Sequence, residues 1–371
     1  MTPFQERMAG NPSLHDYHMI REIREQPEAF KRIVEETRPQ IRKIVREAWQ
    51  RNRPETHYII GCGSSYYAAM IGAFYLEYSL GLAAVALPSS EFLWFAPRSG
   101  VPSPILIALS RSGRTSETLE ATRKAIKSKI PTVAVTSDPR STMGDESDHC
   151  LDTRIPNEQS TIMTKTFTGS ALCTMLLGVE LARLRGLAVS NNFESELGQL
   201  CKCAEEVVRS VEDQAKKIAD KSDKMIRFIY LGAGADFPAC LEGALKLRET
   251  SYSASEAYHS MEFRHGPFAE LDRGIQVFAV VQKDRSVRQE TTLLKEITST
   301  GASVVPISNV PEIVDTYPDS IRMPDRILVE FAPLLSMIPM QMFAYYYALK
   351  RGLNPDQPRN LTRYVTTTMA P

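Results

Sequence analysis

No sign of charge dominates this chain. It has 44 basic and 44 acidic side chains among 371 residues, a formal net charge of zero. That balance gives no bulk attraction to nucleic acid or to anionic lipid, so neither partner is expected. An anionic ligand would need a local site of backbone amides and a few side chains. Cysteine is sparse, with thiols scattered at 62, 150, 173, 201, 203 and 240. Cys201 and Cys203 form a lone C-x-C without a second pair, which argues against a zinc site. Scattered thiols in so large a chain point to a reducing compartment. Long apolar runs are also missing. The stretch from Tyr66 to Pro88 is interrupted by Glu77 and holds Gly72 and Gly81, so it reads as a buried helix, a turn and a strand. The opening MTPFQERMAGNPSLHDYHMI has no apolar core segment and does not read as a signal peptide. No P-loop or metal motif is present, so no cofactor and no metal are expected. These absences leave a cytoplasmic globular protein. Its hydrophobic content of 43% is ordinary and its length suits two domains.

What is present is alternation and repetition. Residues 15–49 read as helical, with Ile20, Ile23, Phe30, Val34, Ile41 and Ile44 at roughly helical spacing and breaks at Pro27 and Pro39. Short apolar strands then follow at 57–61, 105–110 and 132–137, with helices starting at Ser64 and Thr115. Strands alternating with helices predict a parallel sheet wrapped by helices. The pattern recurs. GCGSSYYAA at 61 returns as GAGADFPAC at 232, and SRSGRT at 110 as QKDRSV at 282. TVAVTSD at 132 returns as VVPISNV at 304, and LARLRGL at 181 as YALKRGL at 347. Four near-equal offsets predict a tandem duplication of one α/β domain. The expected boundaries are a helical segment at 1–50, a first domain at 51–195, a helical connector at 196–220, a second domain at 221–353 and a tail at 354–371.

Two segments of the first repeat read as anion-binding loops. Gly61, Gly63, Ser64 and Ser65 follow one strand and open a helix. Ser110, Ser112, Gly113 and Thr115 do the same after the next. Both loops would lie at the carboxyl ends of parallel strands, where ligands bind. Hydroxyls and helix N-terminal amides can cradle a phosphate without lysine. Taken singly, each loop could be an ordinary turn with a capping serine. The second repeat loses the paired hydroxyls and gains Asp236, which would repel an anion, so one phosphate site is expected per pair of domains.

A different cluster occupies the second repeat. In CLEGALKLRETSY, Glu242, Lys246 and Glu249 share one helix face at i, i+4 and i+7. His265 follows in EFRHGP, before a Gly-Pro turn. Such a charge stripe is either solvated or, on a helix that is apolar elsewhere, an acid/base group for proton transfer beside a carbonyl.

These segments together resemble the family of double sugar-isomerase (SIS) domain proteins, and in particular the isomerase half of glucosamine-6-phosphate synthase and stand-alone glucosamine-6-phosphate deaminases. MIREIREQP at 19–27, GCGSS, SRSGRTSET, EQSTIMTKTFT at 158–168, LEGALKLRETSY, HGP and NPDQPRNLT at 354–362 carry the likeness in order. The resemblance implies an α/β fold of two tandem SIS domains and a homodimer with shared active sites. It implies that Cys62, Gly63, Ser64, Ser65, Ser110, Arg111, Ser112 and Thr115 hold a sugar phosphate, and that Glu158 contacts the sugar. Glu249 would move a proton between C1 and C2, with Glu242 and Lys246 supporting the relay. His265 would open the sugar ring from a neighbouring subunit.

Two departures shape the functional expectation. The family synthase carries a glutaminase half headed by a cysteine, whereas this sequence opens Met1-Thr2-Pro3. Ammonia drawn from glutamine is therefore not expected. The synthase also has a Schiff-base lysine near its C-terminus, where this chain has Arg363, a group that stays protonated. The expected reaction is deamination of glucosamine 6-phosphate to fructose 6-phosphate and ammonia. The alternatives are a deglycase of phosphorylated fructose–amine adducts, with Met163 and the loop 253–260 as walls of the amine pocket, and a sugar-phosphate sensor without catalysis.

Overall fold

The computed structural model describes residues 17–97 and 100–367, with side chains of 50–52 left aside. The sixteen residues before Tyr17, part of the expected N-terminal helical segment, lie outside the described residues, as do 368–371 of the tail. Among the described residues three helices come first: α1 (His18–Arg24), α2 (Gln26–Arg32) and α3 (Arg38–Asn52). Pro27 and Pro39 sit in the first turns of α2 and α3, where a missing N–H is harmless. The break falls at Glu25, while the passage to α3 is a π turn at Ile33–Thr37 rather than a stop.

The first sheet follows, with β1 (Thr56–Gly61), β2 (Ala84–Pro88), β3 (Pro104–Leu109), β4 (Thr132–Thr136) and β5 (His149–Asp152). Its helices are α4 (Ser64–Phe74), α5 (Ser89–Phe95), α6 (Ser116–Lys127), α7 (Thr142–Glu146) and α8 (Lys165–Leu184). The long helix α9 (Phe193–Lys221) leads to the second sheet of β6 (Arg227–Gly232), β7 (Ala254–His259), β8 (Ile275–Val281), β9 (Ser303–Ser308) and β10 (Ile321–Arg322). Around it lie α10 (Asp236–Ser251), α11 (Val287–Ser299), α12 (Pro311–Thr316) and α13 (Ala332–Lys350).

Every strand pair is parallel. The first sheet runs β2-β1-β3-β4-β5 and the second, read from its other edge, β7-β6-β8-β9-β10. The orders are identical, so the fold is a tandem pair of one α/β unit, as the offsets predict. Period-2 alternation divides each strand between two cores. Ile59, Ile107 and Val135 face one continuous core that also takes Phe228, Phe278 and Ile307 from the second sheet. Their neighbours Ile60, Ala108 and Ala134 face an outer layer of the first unit, and Ile229, Val277 and Ala279 one of the second. Helix α8 is long and apolar enough to cross a membrane by length, and 83% of its apolar window is buried in the shared core. At the join of the units α4 packs on α10. This brings the first strand–helix turn of one repeat against the charged helix of the other.

Candidate active site

In a 2-1-3-4-5 sheet the strand order reverses between β1 and β3, and ligands bind in the crevice outside that point. The two hydroxyl-rich loops follow these two strands. The β1 turn is tight: a Cβ on Gly61 would lie 2.5 Å from the Ser65 carbonyl carbon, and Gly63 takes a φ of +53°. Only glycine fits such a close approach without strain. In the β3 turn, Ser110 Oγ accepts from the Gly113 amide at 3.1 Å and Ser112 Oγ from the Arg114 amide at 3.2 Å. Each hydroxyl spends an acceptor lone pair on the loop and keeps its proton to donate elsewhere. Thr115 takes the N-cap position of α6 without a side-chain capping bond.

A cavity of about 250 Å³ opens over these loops. Cys62 through Ser65, Ser110 through Ser112, Thr115, Glu249 and Arg363 all line it. Met163 is also in the wall, whereas 253–260 is not. That segment forms the edge strand β7. Sequence reasoning did not place Thr118, Leu245 or the tail residues Leu361, Thr362 and Val365 in the wall, which they also line as neighbours of named residues on α6, on α10 and around Arg363.

Helix α10 supplies the charged side. Lys246 Nζ lies 2.6 Å from Glu249 Oε2 and 3.1 Å from Glu242 Oε1, and donates to Ser64 Oγ at 3.1 Å. Lys246 and Glu242 are wholly buried, so the stripe is not solvated. Glu249 keeps 19% side-chain exposure and faces the cavity. Burial pushes the Glu242 carboxyl up to about 7, with Lys246 opposing and the Glu249 charge adding. Burial works against the Lys246 charge too, but Glu242 and Glu249 outweigh it and hold the ammonium above its ordinary range. Lys246 stands behind Glu249, and no lysine lines the cavity among the described residues.

Two expectations, for Arg111 and Glu158, change in the structure. The Arg111 guanidinium turns away from the loop hydroxyls. Its Nη1 donates to Glu158 Oε2 at 2.9 Å and Ser160 O at 3.3 Å, and its Nη2 to Thr161 O at 2.9 Å and Arg363 O at 3.0 Å. All four terminal N–H groups are taken, so they are not available to a phosphate. Glu158 stands behind Arg111 instead of in the cavity wall, because its carboxylate accepts from the Thr164 amide and hydroxyl, both at 2.8 Å, and from Thr166. Burial would raise that carboxyl; Arg111 and the threonine donors outweigh it and hold it below the usual carboxylate range. His265 is exposed after the turn Glu262–Arg264 and does not line the cavity of its own chain.

The segment 157–163 is held from below by Glu22 of α1, which accepts from the amides of Gln159 and Ser160. Burial, and then the Glu158 charge, pushes Glu22 up to about 7. Above it runs the tail. Asp356 caps α1 through the His18 amide at 2.7 Å and the Met19 amide at 2.8 Å. Arg363 Nη2 donates to Asn157 Oδ1 at 2.7 Å, and Val365 O accepts from the Ser116 amide at 3.2 Å.

The matching place in the second unit is filled. Asp236 is buried there, accepts from Ser336 Oγ at 3.3 Å, and is pushed well above the carboxylate range by burial and by Glu290. Glu290 accepts from Ser260 at 2.7 Å and Ser286 at 2.8 Å. The Ser260, Ser286 and Ser336 hydroxyls at this switch point are spent on those carboxyls, so the second unit lacks the free hydroxyl loops of the first.

The sequence pattern of the SIS domain matches residues 52–179 and 222–351. The chain is 31% identical over 371 residues to a glutamine–fructose-6-phosphate aminotransferase of Gloeobacter violaceus, covering 96% of this chain and 60% of that protein. The Pyrobaculum aerophilum aminotransferase is 33% identical, over 98% of this chain and 60% of its own length. The chain thus spans about 60% of the length of these curated relatives. The C-terminal domain of the Francisella tularensis aminotransferase superposes with a TM-score of 0.85 at 26% identity, over 93% of this chain and 98% of that one. The glucosamine-6-phosphate deaminase of Thermotoga maritima superposes with a TM-score of 0.77 at 28% identity, over 94% of this chain and 99% of that one.

Proposed function

The chain belongs to the SIS-domain family, and from that premise we propose that it is a phosphosugar isomerase that deaminates glucosamine 6-phosphate to fructose 6-phosphate and ammonia. One observation carries the reading: a single cavity sets the hydroxyls of two phosphate-type loops opposite the Glu249 carboxylate, with no lysine in its wall among the described residues. Ser64, Ser65, Ser110, Ser112 and Thr115 bind the phosphate. His265 of the partner subunit opens the ring in a homodimer, freeing the C1 aldehyde. Glu249 takes the C2 proton and returns it to C1, which leaves an imine at C2. Water adds to that imine and ammonia departs. Lys246 holds Glu249 in place, with Glu242 behind it.

One feature favours this reading over the deglycase. A cavity of about 250 Å³ falls just below the usual range for ligand sites, about 300 to 1,000 Å³. It suits one compact sugar phosphate better than an adduct carrying an amino acid.

The test is to incubate the pure protein with amino-sugar phosphates and fructose-amine phosphates, and to assay ammonia and free amino acid. Ammonia from glucosamine 6-phosphate, without glutamine, is expected. Free amino acid from the adducts, without ammonia, would reverse the choice. The phosphate assignment has its own check. Ser112→Ala with Thr115→Val raises KM by about tenfold or more per lost bond to a charged group. Lys283→Ala, at the matching loop of the second unit, leaves KM unchanged. If both move KM alike, the single phosphate site is wrong.

A further inference from the structure

We infer that Arg111 is a positioning residue, which clamps the carboxyl-terminal segment over the cavity and uses Glu158 as its fixed anchor. Arg111 sits in the middle of the β3 loop, between Ser110 and Ser112. Its side chain is only 8% exposed, and although Arg111 lines the cavity its guanidinium reaches to the segment 158–161 and to the tail. It touches two separate stretches of chain: Glu158, Ser160 and Thr161 in the segment 157–163, and the carbonyl of Arg363 in the tail.

The anchor is rigid for physical reasons. Glu158 has no exposed side-chain surface. Its oxygens are saturated by Arg111, Thr164 and Thr166, and its segment is pinned by Glu22. A buried carboxylate satisfied in this way has no low-energy alternative partner. The tail end of the clamp is different. Residues 361–367 are exposed, and their described ties to the first unit run through Arg111, Asn157, the Glu158 carbonyl and Ser116. Arg111, with a side chain only 8% exposed, is one of the donors in those ties.

The geometry makes the loop and the tail a single mechanical unit. Ser110 and Ser112 flank Arg111 in sequence, so a phosphate that orders their loop also orders the guanidinium, and with it the tail. That step rests on the phosphate reading of the loops. Lysine cannot replace this function. Its one nitrogen keeps a positive charge for Glu158 but cannot span four acceptors in a planar fork.

Arg111→Lys therefore preserves the buried charge pair and releases the tail. In the full chain, trypsin cleavage at Arg359 and Arg363 is expected to accelerate about tenfold or more, as for loss of one charge-assisted bond, with the thermal midpoint held near that of the parent. Binding of fructose 6-phosphate, followed by calorimetry, weakens about tenfold in the full chain. It changes less than about threefold in protein ending at Gln357, where the tail is gone and Asp356 still caps α1. An unchanged cleavage rate overturns the clamp. So does an equal loss of binding in both backgrounds, which would make Arg111 a direct ligand of the sugar phosphate. If no variant and no parent binds fructose 6-phosphate, the phosphosugar reading falls, and the trypsin rates still judge the clamp by themselves.

Discussion

Glu249→Gln lowers kcat by about 10²–10⁴, the usual contribution of a positioned general base, and moves KM by less than about threefold. The reasoning starts from helix α10. Glu249 is the member of the Glu–Lys–Glu stripe that reaches the cavity, and Lys246 fixes its Oε2 at 2.6 Å. Glutamine keeps the shape and the link to Lys246 but cannot accept a proton. Binding depends on the hydroxyl loops across the cavity, so it is spared. Exchange of the C2 proton with solvent is the specific readout and should vanish together with turnover. Mixed with His265→Asn protein under subunit exchange, the variant should regain part of its activity, because one mixed site keeps both groups. A kcat within tenfold of the parent, with C2 exchange intact, would remove Glu249 from the reaction.

The tandem α/β units were legible in the sequence because duplication writes the same pattern twice. Four offsets near 171 align β1 with β6 and β4 with β9. Short edge strands carry no such signal. β10 has two residues, and β5 has four with mixed burial. The hydroxyl loops were legible because strand, glycine and serine stand next to each other in the chain. Side-chain direction was not. Arg111 reads as a phosphate ligand by its place in SRSGRT, but its true partner, Glu158, lies 47 residues downstream. Likewise, burial of the Glu242–Lys246 pair depends on α10 meeting α4 of the other repeat. Helical spacing alone cannot distinguish that face from a solvated one.

That burial sets the second large effect. Lys246→Met destabilises the fold by about 3–5 kcal/mol, the range for removing one partner of a buried ion pair. Methionine fills the space of the lysine stem but leaves Glu242, wholly buried, beside Glu249 with no countercharge. The deficit depends on pH, and its sign can be worked out. In the parent, burial pushes the Glu242 carboxyl up to about 7 from its ordinary 4.5. A carboxyl that holds its proton more tightly when folded stabilises the fold most below its unfolded pKa, and loses that contribution as pH rises to the folded one. The parent therefore loses stability from this group between about 4.5 and 7. Without Lys246, the force opposing burial is gone, so Glu242 stays protonated to higher pH and the decline continues beyond 7. The gap between Lys246→Met and the parent should thus be small in acid and wide above neutrality, as measured by urea unfolding across that range. Adding Glu242→Leu to Lys246→Met should recover much of the loss, since an apolar pair of similar size avoids burying an unpaired charge. A gap below about 1 kcal/mol at every pH, under the usual scale for a buried pair, would mean that water reaches these carboxylates and that the relay behind Glu249 is not sealed.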